Sequence, residues 1–248
     1  MTTPAQQLLQ ESCRMIQESY DDLGHELGWR FLTSPTATLS AETEIALITL
    51  NPGGDRDRPD HARESSEAGS AYLVEQWKGS PPGEANLQMQ IRKLFGLIAS
   101  TRKLAINGDQ LLSESLTAQF IPFRSPSLDT LHRKKESFAF AARLWSSLFE
   151  HLSPKLVVTI DTGTFKGLLP VLAARWGAPS SREVFPTGWG IATAELVQWD
   201  TSDGGRAVMR LPHLSSFKLF SRAACKPHVE RLVRGAVDSA WPSSKDKT

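Results

Sequence analysis

The residues whose types can act in concert fall in two short segments, Leu50-Asn51-Pro52-Gly53-Gly54 and Leu211-Pro212-His213-Leu214-Ser215-Ser216-Phe217. Each closes a short apolar run, the first ending at Leu50 and the second at Leu211. A neutral imidazole can donate a hydrogen bond to an oxygen that gathers negative charge, worth ~3–4 kcal/mol in an oxyanion-hole setting. A side-chain amide removes no proton strongly, but it can hold a water in position for attack. Asp55 is the nearest carboxylate and serves as the fallback base. Taken singly, Asn-Pro-Gly reads as a turn and a lone His as a loop residue. Their weight comes from standing together at the ends of two strands.

Other chemistries lose their support. The sequence has no G-x-x-x-x-G-K-[ST], no G-x-G-x-x-G after a strand, no G-x-S-x-G and no H-E-x-x-H. The six histidines never fall at a metal-ligand spacing. Two cysteines, Cys13 and Cys225, cannot build a disulfide framework, a four-Cys zinc site or a four-Cys iron–sulfur cluster. No metal and no cofactor are expected. At 40% hydrophobic the chain can bury a sizeable core, yet no apolar run reaches the ~20 residues of a membrane span. Residues 1–11 lack a basic stretch followed by an apolar one, so a cytoplasmic monomer without a membrane partner is expected.

The elements that must position these residues read as an alternation. Helices are predicted over 4–20, 87–98, 131–152, 165–176 and 227–238, each from an apolar stripe at helical spacing. Continuous apolar runs at 45–50, 118–123 and 156–160 read as doubly buried strands. The runs 191–199 and 206–211 flank Thr201-Ser202-Asp203-Gly204-Gly205 as a hairpin. Strands alternating with helices predict an α/β fold, a three-layer α/β/α sandwich around a mostly parallel four-stranded sheet. One domain over 1–240 and a disordered polar tail over 241–248 complete the reading. In such sheets ligands bind beyond the carboxyl ends of the strands. The segments 51–55, 124–127, 161–164 and 212–222 are therefore the ones to inspect.

Thr49-Leu50-Asn51-Pro52-Gly53 and His213-Leu214-Ser215 resemble, in order, the two active-site motifs of the uracil-DNA glycosylase superfamily, G-[IL]-N-P-G and H-P-S. The resemblance spans roughly residues 45–225. Thr49 stands where the first motif has Gly, and Leu214 where the second has Pro, a change expected to loosen that loop. The resemblance implies cleavage of a nucleoside C1′–N bond through an oxocarbenium-like sugar, with Asn51 positioning the water and His213 facing the leaving base. It places Gln119 and Phe120 in the base pocket, Gln119 five residues before Arg124 as in an N-x-x-x-x-R-P motif. Gln119 read by itself is equally a strand-edge amide bonded to backbone. Gly53 and Gly54 leave space where uracil-specific relatives carry a tyrosine against the pyrimidine C5. An aromatic platform is expected after the first motif, with Tyr72 and Trp77 as candidates and Tyr72 the one placed in the pocket.

The charge is near balance, 28 basic against 27 acidic residues, but its distribution is uneven. Arg206, Arg210, Lys218, Arg222, Lys226, Arg231 and Arg234 are opposed only by Glu230, a pattern suited to a phosphate-bearing partner or to an ordinary solvated face. Under the resemblance, Ser215, Ser216, Lys218, Arg222 and Arg124 contact DNA, and Phe217 is the wedge that enters the stack. The expected partner is DNA bearing a modified or damaged pyrimidine. The favoured activity is a monofunctional glycosylase on a 5-substituted, phage-type cytosine in anti-phage defence. Uracil or mismatch repair, and a non-catalytic DNA-binding module, are the alternatives.

Overall fold

Five consecutive buried residues, Ile45–Thr49, form the strand β1. Both of its faces must therefore be covered. Even residues Ala46 and Ile48 enter one apolar cluster and odd residues Ile45 and Leu47 the other, as the two-residue period of a strand requires. In the computed structural model, which describes residues 2–57 and 61–242, β1 pairs in parallel with β2 (Leu116–Gln119) and with β3 (Leu156–Thr159).

The sheet continues through β4 (Ser181–Pro186), β5 (Thr193–Thr201) and β6 (Gly204–Arg210), in the order β2-β1-β3-β6-β5-β4. The strand β6 joins β3 in parallel, while β5 and β4 extend the sheet antiparallel. The class is α/β as expected, but the sheet has six strands rather than four. Five of the six match the apolar runs read from the sequence; the sixth, β4, is an exposed edge with one buried residue, so it carries no apolar alternation to announce it.

Helices cover both faces. On one side lie α1 (Pro4–Asp22), α5 (Lys134–His151) and α6 (Thr162–Trp176), and on the other α3 (Asn86–Thr101), α4 (Gly108–Glu114) and α7 (Lys226–Ala240). A single turn, α2 (Ala71–Val74), precedes α3. Thr3 and Gln6 close a capping box at the start of α1, with Pro4 in the first turn. The buried stripe of α5 runs through Phe140, Ala141, Leu144, Trp145, Leu148 and Phe149, so Phe138 and Ala142 sit at its margin. Both cysteines are free and buried. No helix among the described residues is long and apolar enough to cross a membrane.

Two boundaries differ from the sequence reading in ways that matter below. The second strand ends at Gln119, not Phe123, and the chain then turns across the top of β1 as Phe120 and Ile121 donate to the carbonyls of Thr49 and Leu50. Trp241, assigned to the tail, is docked instead: its Nε1 donates to Glu44 and the Arg102 guanidinium lies 3.7 Å above its ring. Residues 243–248 of the expected tail lie outside the described residues.

Candidate active site

The carboxyl ends of β1, β2 and β3, and the loop that follows β6, surround a cavity of about 610 Å³. Asn51, Gly53, Gly54, Tyr72, Gln119, Arg124 and His213 all line it, although they come from segments far apart in the chain. Sequence-distant segments meet here because four parallel strands point the same way.

Asn51 is fixed by its amide nitrogen. Nδ2 donates to the Pro52 carbonyl (3.2 Å), the Phe123 carbonyl (3.1 Å) and Ser125 Oγ (2.9 Å). Two of these partners are obligate acceptors, which settles which amide atom faces them. Oδ1 is left without a protein partner among the described residues, and it is the acceptor that a water donating a hydrogen bond would need. The loop itself is tied down by Arg124, whose Nη1 donates to the Gly53 carbonyl at 2.6 Å, and by a bridge between Gly53 and Ser125.

His213 stands exposed at the mouth of the cavity. Its carbonyl accepts from the Ser216 and Phe217 amides, and Leu214 behind it is fully buried in the core. The loop expected to be loosened by Leu214 is thus anchored by it. Ser215 Oγ lies 2.8 Å from His213 Nδ1, and Nε2 has no hydrogen-bond partner among the described residues. Partial desolvation holds the imidazole below its ordinary value; Asp161 pulls it up and Lys78 pushes it down. The ring is therefore neutral at neutral pH.

Gln119 is buried, and its Oε1 accepts from Thr49 Oγ1 at 3.0 Å. The threonine that departs from the glycine of the motif thus orients the amide, leaving Nε2 as a donor on the cavity wall. Gly53 lines the same cavity: nothing lies within 4 Å of where its Cβ would be, and its backbone is outside the left-handed region. The positive φ of the turn, +115°, falls on Gly54 instead. Only Gly54 is glycine for conformational reasons.

Several expected roles are corrected. Phe120 is fully buried and absent from the cavity; its ring packs edge-on to Phe138 and its carbonyl accepts from Trp145 Nε1. It belongs to the core, because the strand ends one residue earlier. Asp55 is exposed and does not line the cavity. The carboxylate that does is Asp161, which caps α6 by accepting from the Thr164 amide and hydroxyl, both at 2.7 Å. Its signal was the strand-to-helix junction Asp161-Thr162-Gly163, read as a place to inspect but assigned no residue. Arg124 is buried and occupied with Gly53, so it shapes the loop rather than reaching a phosphate. Ser215 Oγ is engaged with His213 Nδ1.

Tyr72 is only 2% exposed and offers no open face, and burial pushes its phenol up to about 12. Trp77 packs edge-on against it, half-buried and lining the cavity, and is the available platform. Glu75 fixes that indole: it accepts from Trp77 Nε1 and Arg30 Nη1, each at 2.9 Å. Burial pushes the Glu75 carboxyl up, but the hydrogen bonds from Arg30 and Trp77 and the charges of Arg30 and His61 together outweigh it and hold it below the usual range.

The cationic run also shrinks. Arg206 and Arg210 are buried, paired with Asp203 and Glu195, while Lys226 and Arg231 face Glu230 and Glu183. Lys218, Arg222 and Arg234 remain exposed without an ion pair among the described residues, joined at the cavity rim by Lys78, which sequence reasoning missed. Ser216 is exposed beside Lys218, whereas Phe217 is half-buried with its ring edge-on to Trp189. Among the described residues no group of three or more His, Cys, Asp or Glu could hold a metal ion. No protein-family model matches the chain, and no curated protein matches it at a significant level. Function is accordingly argued from the site.

Proposed function

We propose that the chain is a DNA glycosylase resembling the uracil-DNA glycosylase superfamily, acting on a pyrimidine flipped into the cavity. The observation that carries this reading is the pairing of a pinned Asn51, its Oδ1 open, with a neutral His213 across one crevice. Departure of the base leaves a cationic sugar and puts negative charge on the base carbonyl. Asn51 Oδ1 holds the water that captures the sugar at C1′, and the proton this water gives up goes to the departed base anion. With Ser215 donating to Nδ1, His213 donates from Nε2 to the carbonyl oxygen as its charge grows. Asp161 contributes the negative charge that favours a cationic sugar.

The same geometry supports a base larger than uracil. A cavity of about 610 Å³ lies within the ~300–1,000 Å³ typical of sites for drug-sized ligands, so a bare pyrimidine underfills it. Gly53 leaves the C5 direction open. Gln119 Nε2 reads an acceptor on the pyrimidine edge, and Trp77 offers a face for stacking. A 5-substituted cytosine of the hypermodified kind found in some phage DNA is the substrate we favour, with anti-phage defence as the setting. Alkali-labile strand breaks at the modified base test the activity.

Lys218 and Arg222 flank the His213 loop and neutralise DNA phosphates in this reading. Binding weakens steeply with salt, and Lys218→Ala with Arg222→Ala lowers the log–log salt slope by about one for each phosphate no longer neutralised. Titrations of duplex binding across a salt series measure it. An unchanged slope places the duplex on another face.

A further inference from the structure

The turn between β4 and β5 holds Trp189-Gly190-Ile191, and Ile191 is 101% exposed, the most exposed large apolar side chain among the described residues. Register places this turn at the site's end of the sheet: Pro186 pairs with Thr193, and Glu195 on β5 pairs with Arg210, the last residue of β6. From Arg210 the chain runs directly to His213.

The tip is held firmly. Thr187 Oγ1 donates to the Ala192 carbonyl at 2.7 Å and accepts from the Trp189 amide at 3.2 Å, while the Ala192 amide donates to the Trp189 carbonyl at 3.0 Å. Gly188 has φ +74°, and a Cβ there would meet the Ala224 carbonyl oxygen at 2.5 Å, so the turn is seated against the start of α7. Trp189 fills the gap behind, edge-on to Phe217 with ring centroids 6.1 Å apart and with the Arg222 guanidinium 4.6 Å above its ring. Ile191 is left projecting from a braced turn whose Trp189 carries the exposed Arg222 on its ring.

We propose that Ile191 is the wedge that enters the DNA stack when the target nucleotide leaves it, with Trp189 and Phe217 as its buttress and Lys218 and Arg222 on the flanking phosphates. This rests on the base-flipping reading of the site. A compact apolar residue on a rigid support, between phosphate-binding cations, is what a vacated stack accepts. Phe217, where the resemblance puts the wedge, is half-buried with its ring edge-on to Trp189, whereas Ile191 is fully exposed.

The test uses the whole chain and two duplexes, one fully paired and one with a tetrahydrofuran abasic analogue beside 2-aminopurine. The parent binds the abasic duplex more tightly and raises its fluorescence. Ile191→Ala weakens that binding about tenfold and removes most of the fluorescence rise, Ile191→Leu restores both, and Phe217→Ala does less. Parental binding and fluorescence in Ile191→Ala overturn the proposal, as does a parent that binds neither duplex. Base release is scored separately. Duplex opening through Ile191 without release from any substrate keeps the wedge and removes the glycosylase reading; release with an unaffected Ile191→Ala variant does the reverse.

Discussion

Gly53→Tyr is expected to abolish action on 5-substituted pyrimidines while sparing any action on uracil. Two readings of this glycine compete, a turn requirement and an open wall, and the backbone speaks against the first. Gly53 lies outside the left-handed region with nothing near its absent Cβ, while Gly54 at φ +115° takes the conformational demand of the turn. A tyrosine at Gly53 is therefore free of backbone strain, and its ring fills the space a C5 substituent would enter. Overpacking of that kind costs ~1–3 kcal/mol or more against a bulky base and nothing against a hydrogen at C5. The melting temperature of Gly53→Tyr stays near the parental value, whereas Gly54→Ala lowers it. Equal loss on both substrates, or a large drop in melting temperature for Gly53→Tyr, contradicts the open-wall account.

Asn51→Ala is expected to remove base release with DNA binding retained, and His213→Ala to slow release by ~10²–10³. The two variants carry different structural costs. Asn51 gives three hydrogen bonds, two of which join the loop after β1 to the segment after β2. At about 0.5–1.5 kcal/mol for each bond, its removal also lowers the melting temperature. His213 is exposed, and its ring is held by Ser215 through one hydrogen bond, so its loss leaves the fold intact. Single-turnover release measured beside duplex binding separates chemistry from folding. Parental rates in either variant remove that residue from the mechanism.

What could be read from the sequence, and what could not, divides along physical lines. The strand β1 announced itself because both faces are buried and every residue is apolar up to Thr49. Asn51 and His213 followed from strand ends, which is a local property. Roles that depended on where a strand stops were less legible: Phe120 was carried into the pocket and Phe123 into the strand, whereas the chain turns after Gln119. Nearness along the chain favoured Asp55, and nearness in space selects Asp161, at the end of β3. Charge counting overrated Arg206 and Arg210, since β6 carries them into pairs with Asp203 and Glu195. Ile191 was read as the first residue of a strand and Trp189 was not singled out, because the edge strand before them is exposed and has no period to reveal a hairpin. Thr49, noted only as a departure from a motif, orients Gln119.

The most direct test of the account is strand incision after alkali on three duplexes, each with one target: uracil, thymine opposite guanine, or a 5-substituted cytosine. The account predicts breaks at the 5-substituted cytosine that require alkali and that disappear in Asn51→Ala. A parent chain that binds these duplexes yet leaves every target base attached would contradict it.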